Sequence, residues 1–271
     1  MNRRELIRGL GVGAAAAALS PNFRAATPSV PSALPRPETE LKITSVRLVR
    51  TRPKRPVPSY EPSPDAWSGQ GVEVANPMSI YPKYKPRRSL FSPDRGGVSG
   101  FTVEIGTDKG LKGYGSGGPG GGPIVEGHLT KLLMGENALD VEKLWDTMWR
   151  STISYGRKGA VVHAISGVDL ALWDLAGKAW GLPVYRLLGG ETKPRIPAYC
   201  TGNDIEQHVE FGYTRLKLAL PHGPADGREG IRKNVALVKR ARAALGSEGE
   251  IMMDCWMALT ERYTLDLCEA F

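Results

Sequence analysis

The sequence predicts an α+β domain followed by the opening units of a parallel β/α barrel. Three observations carry that expectation. Two β-type runs, Phe101–Ile105 and Leu111–Tyr114, flank a five-residue link with two glycines, which is hairpin spacing. Val161, Ile165, Val168, Leu172, Leu175 and Ala179 recur at helical spacing on one face. Beyond residue 190, apolar strand-like runs alternate with helical ones, the pattern of parallel β/α units.

The elements follow in order. Met1–Arg8 is basic, with paired Arg3 and Arg4, and Gly9–Leu19 is rich in Ala and Gly. That run is too short to span a bilayer. It fits a twin-arginine export signal over residues 1–26, with cleavage after Ala26 and a periplasmic destination. Residues 27–40 hold Pro28, Pro31, Pro35 and Pro37 and form an extended linker. Leu41–Arg50 is near-alternating and rich in β-branched residues, hence a first strand. Residues 52–100 are rich in Pro, Gly and Ser without a sustained period, so they form a disordered stretch or a lid.

Ile124–Met134, Val141–Ile153 and Val161–Ala179 read as helices, the last ended by Gly181 and Pro183. Arg195–Cys200, Leu216–Leu220 and Ile251–Asp254 read as strands. Gly230–Leu245 reads as a helix with Ile231, Val235, Val238 and Leu245 inward, and with Arg232, Lys233, Lys239, Arg240 and Arg242 on a solvated face. A final helix opens at Thr260. A complete barrel needs eight strands and about 250 residues. Three strands are visible here, so the chain reads as truncated.

Composition narrows the function. Hydrophobic residues make up 41% and charged residues 24% of the 271, as in a globular protein. Of the net charge of +8, residues 1–27 carry +3, leaving +5 for the remainder. That mild excess draws anionic small molecules. No Lys/Arg run is interleaved with aromatics, so no nucleic-acid partner is expected. Nor is a membrane partner expected beyond the export step. Cys200, Cys255 and Cys268 are odd in number and widely spaced, which reads as small buried hydrophobes and not as a disulfide framework or zinc site. Gly113–Gly118 satisfies GxGxxG, but its strand belongs to a hairpin and no helix starts at the third glycine, so a flexible turn is expected instead of a nucleotide site.

Val162–Lys178, with its Ile165-Ser166-Gly167-Val168-Asp169 and Trp173-Asp174 runs, leads into Gly181-Leu182-Pro183-Val184-Tyr185-Arg186-Leu187-Leu188-Gly189-Gly190. This resembles the signature of the mandelate racemase and muconate lactonizing family of the enolase superfamily. Most of that signature serves packing. Asn76–Tyr81, Gly223–Lys233 and Met253–Met257 resemble segments of the L-rhamnonate dehydratases, over about residues 41–271 in all.

The resemblance implies an enolase-like capping domain over 41–190, with lid 52–100, then a partial TIM-type barrel over 191–271. It implies proton removal beside a carboxylate, an enediolate steadied by magnesium, and loss of water to give a 2-keto-3-deoxy sugar acid. A small sugar acid is then the partner, and the full-length form a homo-oligomer. Asp254, at the end of the third barrel strand, matches the first of three carboxylate metal ligands; otherwise it is an acidic loop residue or cap. Lys217 matches a strand-two lysine that binds the substrate carboxylate, or it snorkels. Lys217-Leu218-Ala219 lacks the second lysine that many relatives use as base. The expected base, a histidine, and the other metal ligands would lie beyond Phe271. Arg88 matches a substrate-gripping arginine, with Arg87 its rival by one residue. His222, in the loop after the second strand, is a further substrate contact. Residues 52–80 hold no histidine where the rhamnonate group carries one, and Trp67 fills some of that space. His163 reads as a structural helix residue; His128 and His208 lack company for metal or nucleophile work. The alternatives are a racemase or cycloisomerase of the same fold, or an exported non-catalytic binding protein. The fragment itself is expected to be inactive.

Overall fold

The structure, a computed structural model, describes residues 39–52, 74–84 and 100–271. Residues 1–26, Trp67, Arg87 and Arg88 lie outside the described residues, as do most of the linker and most of the lid. Pro37–Phe271 form one compact unit containing two three-stranded sheets.

The first sheet is antiparallel, in the order β1 (Ile43–Val49), β2 (Phe101–Thr107), β3 (Lys112–Gly117). The hairpin between β2 and β3 turns at Gly110, whose φ of +76° suits a residue without Cβ. One cross-strand row binds all three strands. Arg47 faces Glu104 and Glu104 faces Tyr114 in register. The nearly buried Glu104 carboxylate accepts from the Arg47 guanidinium and from Tyr114 Oη at 2.8 Å, with Lys112 Nζ 3.4 Å away. The Arg47 hydrogen bond, then that of Tyr114, hold the Glu104 pKa down at about 2.

A helical stretch follows, built of α1 (Gly122–Ile124), a π-helical turn (Val125–Leu129) and α2 (Thr130–Leu133). Then come α3 (Val141–Thr152), α4 (Ala160–Trp180) and the short α5 (Val184–Leu187). Helix α4 ends at Gly181 in the left-handed conformation. It is long and apolar enough to cross a membrane by composition, yet it is the core helix of this domain. Val161, Ile165, Val168, Leu172 and Leu175 are buried from it, against Val103 and Ile105 of the sheet and Leu144 and Met148 of α3.

The glycine run expected to be a flexible turn is strand β3, packed against α4. A Cβ on Gly115 would run into the Gly167 carbonyl and meet Ala171 N at 2.6 Å; one on Gly113 would run into the Ala171 carbonyl. The glycines let a strand backbone lie directly on a helix backbone. Asp174 and Lys178 of α4 then cover the strand: Tyr114 N–H donates to Asp174 at 2.8 Å, and Lys178 Nζ donates to the Lys112 carbonyl at 2.8 Å. The family-like signature thus builds the helix–sheet contact.

The second sheet is parallel, in the order β4 (Cys200–Thr201), β5 (Arg215–Ala219), β6 (Glu250–Asp254). Helices α6 (Ile205–Glu210), α7 (Gly227–Leu245) and α8 (Glu261–Ala270) follow them in turn. Leu216 and Leu218 are buried against Ile205 and Ala241, while Leu220 packs with Tyr263 and Leu267.

Several expectations are corrected. The predicted Arg195–Cys200 strand shrinks to two residues. Pro194 and Pro197 lack the N–H groups a ladder needs, and Glu191–Tyr199 are exposed. The inward face of α7 includes Asn234, Leu237 and Ala241, while Val235 belongs to neither core cluster. Arg240, on the face expected to be solvated, is half-exposed but anchored: its Nη2 donates to the Asn203 carbonyl at 2.8 Å. Arg242 folds back on the Gly246 and Gly249 carbonyls that end its own helix. Cys200 and Cys255 are half-buried, and Cys268 is exposed.

Two measurements check this packing. Gly115→Ala should lower unfolding free energy by about 3 kcal/mol, the upper end for overpacking, in urea titration. Glu104 stabilises the folded state while ionised, so its contribution is complete above its unfolded pKa and fades as pH falls from about 4.5 towards 2. The melting-temperature gap between wild type and Glu104→Gln should therefore be wide at pH 6 and narrower at pH 3.

Candidate active site at the strand ends

Strands β5 and β6 pair in parallel, with Lys217 opposite Met252 and Ala219 opposite Asp254. Side chains alternate, so Lys217, Ala219, Met252 and Asp254 share the face opposite the one that carries Leu216 and Leu218. On that face Lys217 Nζ lies 2.8 Å from Asp254 Oδ2. The hydrogen bond and charge of Asp254 push the Lys217 pKa up. The two side chains stay 30% and 26% exposed, so the pair adds little stability but remains reachable from solvent.

The other carboxylate oxygen, Asp254 Oδ1, accepts the Trp256 backbone N–H at 3.2 Å. Trp256 and Met257 have φ of 44° and 58°, a left-handed conformation that costs energy for residues with bulky side chains. The loop leaving β6 is therefore strained where the carboxylate is displayed.

Backbone bonds fix the register behind the pair. The buried Asn203 side chain donates to the Ala219 carbonyl and accepts from the Ala219 N–H, both at 2.9 Å. It replaces a missing rung between the short β4 and β5. Leu220 N–H donates to the Asp254 carbonyl at 3.1 Å, and Ala75 N–H donates to the Leu220 carbonyl at 2.8 Å. Val74 and Ala75 are fully buried there. Asn76 then caps a 3₁₀ turn, Pro77–Ile80, through Met78 N–H. The Asn76–Tyr81 segment, singled out by resemblance, starts from this dock at the strand ends.

His222 sits past β5. Its ring Nδ1 is 3.6 Å from Asp226 Oδ1, and its carbonyl accepts from the buried Asn234 side chain at 2.9 Å. It lines a cavity with Asn203, Lys233 and Arg240. Arg88 lies outside the described residues. Of the four residues expected in the site, Lys217 and Asp254 are brought into direct contact. His163 bonds the Pro119 carbonyl at 2.9 Å, as a structural residue would. Among the described residues no three His, Cys, Asp or Glu gather as a metal cluster.

Sequence reasoning missed Asn203, Ala75 and the strained Trp256–Met257 pair. Gly202-Asn203-Asp204 after a strand-like run reads as a turn, which hides a side chain used as a ladder rung. The other two act through backbone geometry that residue type does not announce.

An α+β domain fused to parallel β/α units, with a carboxylate and a lysine at the strand ends, defines the enolase type of enzyme architecture. Residues 95–189 match the N-terminal domain of the mandelate racemase / muconate lactonizing enzyme family. An L-rhamnonate dehydratase from Saccharopolyspora erythraea is 39% identical over 213 residues, 78% of this chain and 54% of that protein. The crystal structure of L-rhamnonate dehydratase from Gibberella zeae superposes with a TM-score of 0.72 at 34% identity, covering 86% of this chain and 56% of that one. A structure of the Gibberella enzyme complexed with Mg gives a TM-score of 0.69 at 32% identity, over 86% of this chain and 57% of its own. The chain belongs to the mandelate racemase / muconate lactonizing enzyme family of the enolase superfamily. It spans about half the length of the curated relatives it matches.

Asn203→Ala removes both side-chain bonds to Ala219 and leaves buried backbone groups without partners. Urea denaturation should show a loss of about 2 kcal/mol.

Proposed function

We propose that residues 41–271 supply part of the active site of an acid-sugar dehydratase acting on an aldonate of the L-rhamnonate type. The observation that supports this most is the Lys217–Asp254 pair at the C-terminal ends of parallel strands, where enzymes of barrel fold do their chemistry. The named relatives support the substrate class.

The reaction removes the proton next to the substrate carboxylate and expels the neighbouring hydroxyl as water. Magnesium suits a hard carboxylate oxygen, and Asp254 would be one of its ligands. When bound, the ion supplies the positive charge that makes an enediolate accessible. Lys217 is a compact cation beside that carboxylate, suited to drawing in the substrate carboxylate. Arg88 would grip carboxylate or hydroxyl oxygens through two parallel bonds. Residues 217–219 read Lys-Leu-Ala, so β5 carries no second lysine as base. By the resemblance, the base would be a histidine, and it and the remaining metal ligands would come from later strands. On this reading the 271-residue chain binds magnesium weakly and turns nothing over by itself. The basic Arg3-Arg4 start supports export through the twin-arginine route.

The test is a sugar-acid panel with magnesium, read for 2-keto-3-deoxy acids. The chain alone should give none; the product of the reading frame continued past the Phe271 codon should. In that longer protein Asp254→Asn should cut kcat/KM by about a thousandfold, since the ion contributes several kcal/mol. Racemisation without dehydration would overturn the dehydratase reading, and a stop codon there would favour a binding protein. Calorimetry of the chain should show magnesium affinity no tighter than about millimolar.

A further inference from the structure

Beside the strand ends lies a cavity of about 410 Å³ between the loop after β4 and the side of α7. Its polar lining is Asn203, His222, Lys233 and Arg240, and Ala236 and Leu237 supply its apolar part. Positions 233, 236, 237 and 240 are three, four and seven residues apart, so they form one stripe of α7. Both walls come from the first two β/α units, and Lys217 and Asp254 are not in the lining.

Three of the lining residues are anchored. Arg240 is fixed by the Asn203 carbonyl at 2.8 Å and by Glu206 at 3.3 Å. The Asn203 side chain is held on Ala219, and the His222 backbone is held by Asn234. Two permanent cations and an imidazole thus face a space whose lining includes no carboxylate. Glu229, whose pKa is lowered chiefly by the hydrogen bond and charge of Arg232 and less by Lys233 and His222, is engaged by the Arg232 guanidinium, whose Nε donates at 2.9 Å. A recess bordered by an anchored guanidinium and an exposed ammonium, next to an apolar wall, is complementary to an anion. Its volume is in the range of small-molecule sites, about 300–1,000 Å³.

We propose that this cavity is a second binding site, taking a small oxyanion, carboxylate or phosphate, with Lys233 and Arg240 as its cationic contacts and Ala236 and Leu237 against its carbon skeleton. Lys217 and Asp254 take no part in its lining, and His222 is the one residue it shares with those expected to contact the sugar acid.

The test titrates the 271-residue chain with inorganic phosphate and, separately, with malonate, at constant ionic strength, following amide shifts by NMR. Saturable binding in the millimolar range is expected, and the tighter probe tells which oxyanion chemistry the site prefers. Lys233→Gln should weaken binding about tenfold, as loss of one charge-assisted contact does. Lys233→Arg should restore most of it. Lys239→Gln removes the same charge from the same helix but outside the cavity, and should leave affinity unchanged. Asp254→Asn should also leave it unchanged. Absence of saturable binding by both probes would overturn the proposal. Equal weakening by Lys233→Gln and Lys239→Gln would also overturn it, because that is diffuse attraction and not a site.

Discussion

The constraint on which the site depends is the register of three backbone segments at the ends of the parallel strands. Ala219 sits between Asn203 on one side and Asp254 on the other. Strand β4 is only two residues long, and backbone pairing alone would release β5 before its end. The Asn203 amide continues the ladder by one rung and uses both of its hydrogen-bonding ends to do so. With Ala219 held, Leu220 reaches the Asp254 carbonyl and Ala75 closes onto Leu220. A one-residue slip would turn Asp254 to the helix side of the sheet, away from Lys217. The position of one carboxylate therefore rests on an amide side chain two strands away and on a segment from the other half of the unit.

The capping part meets a different demand. A strand must lie flat on a long apolar helix, and the distance between them is set by what β3 lacks. Gly113 and Gly115 remove the Cβ atoms that would meet α4, while Asp174 and Lys178 take up the polar groups of the strand. The Arg47–Glu104–Tyr114 row then ties the three strands together on one face. Burial of Glu104 is tolerable because a guanidinium and a phenol hydroxyl satisfy it.

Much of this was legible in the residues. The hairpin and the long helix followed from period and turn chemistry, and their ends fall within a few residues of expectation. Lys217 and Asp254 could be singled out because their positions match strand-end residues of the family they resemble, Asp254 also closing an apolar run. Other features escaped. The Gly113–Gly118 run looks like a turn because glycine is read for backbone freedom, and here it serves close packing. Arg240 looks free in solvent on a helical wheel, yet its guanidinium is tied to the Asn203 carbonyl in the loop after β4. Arg195–Cys200 look like a strand by composition, but Pro197 removes a donor within the run and Pro194 sits just before it. In the first two cases the deciding partner is remote in sequence.

The central claim is that the Asp254 carboxylate is a ligand for a divalent cation at the strand ends. Manganese is a paramagnetic stand-in for magnesium, sharing its preference for oxygen ligands. Titrating it into the wild-type chain and Asp254→Asn, while following line broadening across the assigned amides, tests that directly. The account predicts broadening centred on residues 217–220 and 254–257 that disappears in the variant. Broadening centred elsewhere, or unchanged in Asp254→Asn, would contradict it.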